Sequence, residues 1–194
     1  MVKMKIQFKE FKNSVKNNCE ELPLILLHGP NLSEINEKCN EAVELLCGPA
    51  GIEEMRVNKL TVNKLLQEPQ VFYDKLKTVG FFSGKQVLII EGATDKIKHH
   101  LSDALKNWKK DDATIIAKAT SLKPSSSLRT LAEKCREAIS LGIYDEQVDF
   151  RRFEEAVNAS KLKIIDTNIN KFLKNPANFS SYSSFKMLME KLEL

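Results

Sequence analysis

"LILLHGPNLSEIN", residues 24–36, is the stretch on which the fold turns. An apolar run ends at Gly29-Pro30, and a polar, helix-forming segment follows at once. A buried strand that hands over through a glycine turn to a helix N-terminus is the geometry in which α/β proteins cradle phosphates. The strand reads as 22–28, with Pro23 tolerated near its start. Asn31 or Ser33 caps the helix, which runs to about Cys47 before Gly48-Pro49-Ala50-Gly51 breaks it.

The chemistry of a phosphate loop does not follow. Counted from Gly29, the pattern G-x-x-x-x-G-K-[ST] needs glycine, lysine and a hydroxyl at positions 34, 35 and 36, which hold Glu34, Ile35 and Asn36. A carboxylate would face the phosphates, the charge-neutralising lysine is apolar, and the magnesium hydroxyl is gone. The strand "VLIIEGA", 87–93, ends in one acid, Glu91, where a hydrolytic site carries a pair. The reading is a nucleotide-binding architecture with a degenerate P-loop, no bound cofactor, no metal and no catalytic residues.

Around this stretch strands and helices alternate. Phe8, Phe11 and Val15 mark a helix over 7–18. A short strand is expected near 52–57, a helix over 61–66, and a second helix from Pro69 to near Thr78. "KQVLIIEGA", 85–93, and "ATIIAKA", 113–119, read as strands buried on both faces. Helices over 95–108 and 125–136 follow them, with Ser125 a cap, and "AISLGIY", 138–144, closes the series. The pattern predicts an α/β domain over 1–144 with a parallel sheet flanked by helices. From residue 145 Phe150, Phe153, Val157, Ile169, Phe172 and Leu173 keep helical spacing, so 145–194 reads as a small all-helical lid domain.

Composition sets further bounds. The 194 residues are 42% apolar and 29% charged with net charge +4, too mild and too interspersed to announce a nucleic-acid surface. Neither a signal-peptide core in 1–18 nor a membrane-length apolar run is visible, which predicts a cytoplasmic chain without a membrane partner. The four cysteines form no CxxC pair and read as reduced structural thiols. His99 and His100, adjacent on a helix, are expected to point apart and not to share a metal.

"TVGFFSGKQ", 78–86, stands out in another way. Phe81 and Phe82 lie in a connection, with Gly80 before them and Ser83-Gly84 after them. Two adjacent aromatics there cannot both face the same way into the core; the residues alone leave open core packing, the usual use of phenylalanine beside a strand, and an exposed pair that makes a binding hot spot.

Four stretches together resemble the delta subunit of the bacterial DNA polymerase III clamp loader. "LILLHGPN", 24–31, resembles its opening strand and turn; "TVGFFSGKQVLII", 78–90, its apolar pair and following strand. "ATIIAKATSLKPSSSLRTLAEK", 113–134, resembles its strand, L-K-x-S-S-x-L-R turn and helix. "MLMEKLEL", 187–194, resembles the closing helix of its second domain. The resemblance implies an AAA+-like fold that neither binds nor hydrolyses ATP. It also implies a task, to bind the beta sliding clamp and open it during DNA replication, beside gamma/tau and delta prime subunits and with DNA contacted only indirectly.

By the resemblance, Phe81 and Phe82 plug a pocket on the clamp and Thr78 and Val79 flank them. Where relatives carry a Ser-Arg-Cys finger this chain reads Glu133-Lys134-Cys135, and lysine lacks the arginine fork that grips phosphate. The family's third, collar domain is expected to be absent from this chain. Two rival functions are a divergent P-loop NTPase, which predicts nucleotide binding, and a nucleic-acid adaptor, which predicts steeply salt-dependent DNA affinity.

Overall fold

The computed structural model describes residues 10–78 and 84–144. By contacts the chain divides into two units, Met1–Ile143 and Tyr144–Leu194. The description below concerns the first; the expected helical lid, 145–194, lies outside the described residues.

The elements in chain order are α1 (Phe11–Asn18), β1 (Leu24–His28), α2 (Leu32–Cys47), β2 (Val57–Thr61), α3 (Val62–Gln67), α4 (Pro69–Lys77) and β3 (Val87–Glu91). A 3-10 turn (Asp95–Ile97), α5 (Lys98–Lys106), β4 (Thr114–Ala119), α6 (Ser127–Lys134) and β5 (Ile139–Gly142) follow. The strands form one parallel sheet of order β2-β3-β4-β1-β5. This is the AAA+-like arrangement, a five-stranded parallel sheet flanked by helices.

Alternation along each strand splits the core in two. Leu24 and Leu26 of β1, Leu88 and Ile90 of β3, and Ile115 and Ala117 of β4 face one layer with Leu65, Phe72, Leu76, Leu101 and Leu128. Ile25, Leu27, Val87, Ile89 and Ile116 face the other, against Phe11 and Val15 of α1 and Ile35, Cys39, Val43 and Leu46 of α2. Each fully buried large aliphatic side chain contributes about 1.5–3 kcal/mol. Thr114, buried in this core, is kept there by donating its hydroxyl to the Leu22 carbonyl at 2.7 Å.

Local chemistry sets the ends. Asn31 caps α2 by accepting from the Glu34 N–H, and Pro69 opens α4, both as the sequence predicts. The cap of α6 is Ser126 in place of Ser125, and the Asp95 carboxylate accepts from the Ser126 hydroxyl at 2.6 Å and the Leu128 N–H at 2.8 Å. The short strand expected near 52–57 begins only at Val57. Residues 51–55 are instead a turn, closed by bonds from the Met55 N–H to the Ile52 carbonyl and the Arg56 N–H to the Gly51 carbonyl. That turn holds Met55 at φ 54° and leaves Ile52 and Met55 72% and 82% exposed.

The expectation that His99 and His100 point apart also fails. Their rings stand 3.8 Å apart, broad enough to meet despite the angular offset of successive helical positions. Tyr73 Oη lies 3.4 Å from His100 Nδ1. Among the described residues there is no group of three or more His, Cys, Asp or Glu that could hold a metal, and no helix long and apolar enough to cross a membrane.

The Ser126 hydroxyl and the Leu128 N–H hold the Asp95 carboxyl below its ordinary range. A carboxylate favoured in the fold stabilises it above the ordinary carboxylate pKa, and the contribution is lost as pH falls through the lowered value. Asp95→Ala is expected to destabilise the protein by about 1 kcal/mol at neutral pH, as loss of a helix-end acceptor does. Denaturant titrations of parent and variant should converge as the pH is taken below the lowered Asp95 value.

Candidate functional site

Helix α4 ends at Lys77 and β3 starts at Val87, so the two roots of the connection between them stand at the amino edge of the sheet. Phe81, Phe82 and Val79 lie outside the described residues. Thr78 is exposed at the end of α4 and donates its hydroxyl to the Asp74 carbonyl at 2.7 Å, the local bond that a helix-end threonine forms readily.

Both roots of the connection are tied down. On the α4 side, Lys77 Nζ donates to Asp112 Oδ2 at 2.6 Å and to the Asn107 carbonyl, while the Ala113 N–H donates to the Leu76 carbonyl. On the β3 side the tie is Arg56, only 8% exposed. Its guanidinium donates to the Cys47 carbonyl at 2.6 Å, to Glu54 Oε2 at 2.7 Å and, at 3.5 Å, to the Lys85 carbonyl. The Cys47 thiol donates to the same Lys85 carbonyl at 3.2 Å. Gly84 packs so closely on Arg56 that a Cβ would lie 2.7 Å from Nη1, and its φ of 125° also favours glycine.

Lys85 completes the edge. Its ammonium donates to the Lys110 carbonyl at 2.8 Å and sits 4.6 Å from the Trp108 ring centroid, a cation–π distance. Burial pushes its pKa below the ordinary lysine value, opposed chiefly by Asp112.

The carboxyl edge holds the loop that follows β1, Gly29 to Asn31. Its position is fixed by backbone. The Gly29 N–H donates to the Thr120 carbonyl at 2.8 Å, and the Ile143 N–H donates to the His28 carbonyl at 2.7 Å. A Cβ on Gly29 would lie 1.6 Å from the Ile143 oxygen, so glycine is required there by close approach. Ile35, at the position of the phosphate-binding lysine, is fully buried in the core between α2 and the sheet. Asn36, at the position of the metal hydroxyl, is exposed and accepts from Lys118 Nζ at 2.9 Å. The same ammonium donates to Glu91 Oε1 at 3.1 Å. The magnesium nucleotide that this architecture otherwise holds does not fit these residues: the lysine is missing and a protein cation already lies between the metal-side oxygens.

A groove of about 720 Å³ opens beside this point along the carboxyl ends of β2, β3 and β4, bordered by Asn63, Glu91, Lys96, Lys123 and Ser125. The residues aligned with the finger motif are used locally. Glu133 Oε1 accepts from Arg129 Nε at 2.8 Å, and burial pushes the Cys135 thiol up.

The comparisons with known proteins bear on the fold. No protein-family model matches the sequence, and neither does any curated protein. Solved structures do match. The fold is similar to that of a clamp loader delta protein. That protein, from Bacillus subtilis, superposes with a TM-score of 0.58 at 13% identity, over 95% of this chain and 55% of its own. A DNA polymerase III gamma subunit-related protein from Thermotoga maritima gives a TM-score of 0.53 at 12% identity, over 92% of this chain and 57% of its own. The chain therefore spans little more than half the length of either structure. Identity this low establishes the shared fold.

Neither Arg56 nor Lys118 was singled out by sequence reasoning. Lys118 carried a signal, a lone charge inside the apolar run "ATIIAKA"; Arg56, in "EEMRVN", carried none. Arg56→Ala leaves the buried Cys47 carbonyl without its guanidinium donor and is expected to cost about 1–3 kcal/mol, read by chemical denaturation. Arg56→Lys should recover only part of that loss, because one ammonium cannot reproduce the planar fork. Amide NMR signals of Gly84 and Lys85 should shift in both variants.

Proposed function

We propose that this chain is a non-catalytic clamp-loader subunit of the delta type, acting in bacterial DNA replication. It binds the beta sliding clamp through Phe81 and Phe82, with Thr78 and Val79 as flanking contacts, and favours the open state of the ring. Residues 1–144 are the clamp-binding domain and 145–194 a small helical lid. Its setting is the cytoplasm, and gamma/tau and delta prime subunits are its further partners in a full loader.

One observation carries the reading. In a fold shared with a clamp loader delta protein, the connection containing two adjacent phenylalanines springs from two roots that are each locked to the sheet edge, by Lys77 with Asp112 and by Arg56 with Lys85. Fixed roots lower the ordering cost of presenting an aromatic pair to a partner. Two phenylalanine side chains buried on the clamp would contribute roughly 3–6 kcal/mol gross. Ring opening would follow only from tighter binding to the open interface than to the closed one. The absence of catalysis in this reading follows from Ile35, which is sunk in the core where a phosphate-binding lysine would stand.

The test is binding of the chain to its cognate sliding clamp, beside a Phe81→Ala/Phe82→Ala double variant whose fold is checked by circular dichroism and thermal unfolding. The parent should bind, and the variant should lose about a hundredfold in affinity or more, the scale of paired hot-spot truncations. A parent that does not bind refutes the clamp reading. Equal binding by both refutes the aromatic pair as its site.

A further inference from the structure

We propose that the ammonium of Lys118 is a built-in replacement for the divalent cation of a nucleotide site, occupying the place between Asn36 and Glu91 that the metal would take. In a P-loop site the metal is held by the hydroxyl two positions after the second glycine of the loop and by a carboxylate at the end of a neighbouring strand. In this chain those two positions are Asn36 and Glu91. The side chains still converge, and what they converge on is Lys118 Nζ, at 2.9 Å and 3.1 Å.

The sheet makes this placement unavoidable. Lys118 lies next to Glu91 in the register of β3 with β4 and next to Leu27 in that of β1 with β4, so it stands between β1, which ends at the loop, and β3, which ends at Glu91. Every other residue of β4 is buried. A lysine in such a strand must send its charge to the carboxyl edge, and its side chain remains only 17% exposed. An ammonium so enclosed requires acceptors, and Asn36 and Glu91 supply them.

Charge balance supports the substitution. A divalent ion suits a site with two acids and bound phosphates. Lys118 meets one acid, Glu91, and one neutral amide, Asn36, while the other acid of the adjoining groove, Asp95, is engaged by the Ser126 hydroxyl and the Leu128 N–H. A single positive charge neutralises that set, and without it the two oxygens are left to take a divalent ion weakly, in the millimolar range. The exchange also fastens α2 to β3 and β4 through side chains, a tie that a bound metal would otherwise provide. This inference rests on the carboxyl edge alone and is independent of clamp binding at the other edge.

The test uses manganese ion as the probe on the full chain, read by paramagnetic loss of amide NMR signals. The parent, in millimolar manganese, the range of weak oxygen-ligand sites, should show no selective loss at Asn36 and Glu91. Lys118→Ala, and Lys118→Ser as a second variant should the first fail to fold, should show selective loss at both positions. Lys118→Ala/Glu91→Gln should show none. Selective loss in the parent would overturn the proposal, because the place would not be filled. No selective loss in any folded Lys118 variant would overturn it as well, reducing the bridge to an ordinary ion pair.

Discussion

Strand β1 is buried along its whole length, and the rest of the structure is arranged around that constraint. Its five residues pair with β4 on one side and four of them, Ile25 to His28, pair with β5 on the other, so its backbone polar groups are largely consumed by neighbouring strands. Its side chains alternate between two apolar layers, one under α1 and α2, the other under α3 to α6. A strand enclosed on four sides has freedom only at its ends. The chain must enter and leave at the two sheet edges, and the turn after His28 must clear the backbone at Ile143. That is why Gly29 is needed whether or not anything binds there. The loop keeps the shape of a phosphate site for reasons of packing.

How far the sequence reveals this follows from the range of each interaction. β1, β3, β4 and β5 are predominantly apolar runs, and double-sided burial is a strong local signal. The Asn31 cap and Pro69 at a helix start are chemistry within a single turn, equally legible. β2 was misplaced because Ile52, Met55 and Val57 look alike as apolar residues. What separates them is the set of turn bonds that close at Arg56, and tertiary contacts decide those. The fold-level likeness to a clamp loader delta protein was also readable, as a succession of motifs with the right spacing. The two cationic ties were not, because each joins residues far apart in the chain. Arg56 reaches Lys85, 29 residues on, and Lys118 reaches Asn36, 82 residues back.

The two cations also divide by type as their tasks require. Arg56 serves a buried corner where carbonyl and carboxylate oxygens approach from several directions, and a planar fork with many donors meets them. Lys118 serves a partly open strand end with two acceptors, where a compact point charge on a flexible stem suffices. Each cation removes a polarity problem that a parallel sheet creates at its rim.

These ties stand at opposite ends of strands five or six residues long, a span of about 17–20 Å. The apolar layers between the rims do not screen charge, so the separation rests on distance and on salt in the surrounding solvent, which screens exposed charges over about 8 Å. The two ties share no side-chain partner. Substitutions at the two rims are therefore expected to add to within about 0.5 kcal/mol. A chain built this way can lose the chemistry of one rim entirely while the opposite rim is refined residue by residue, each drifting under its own selection.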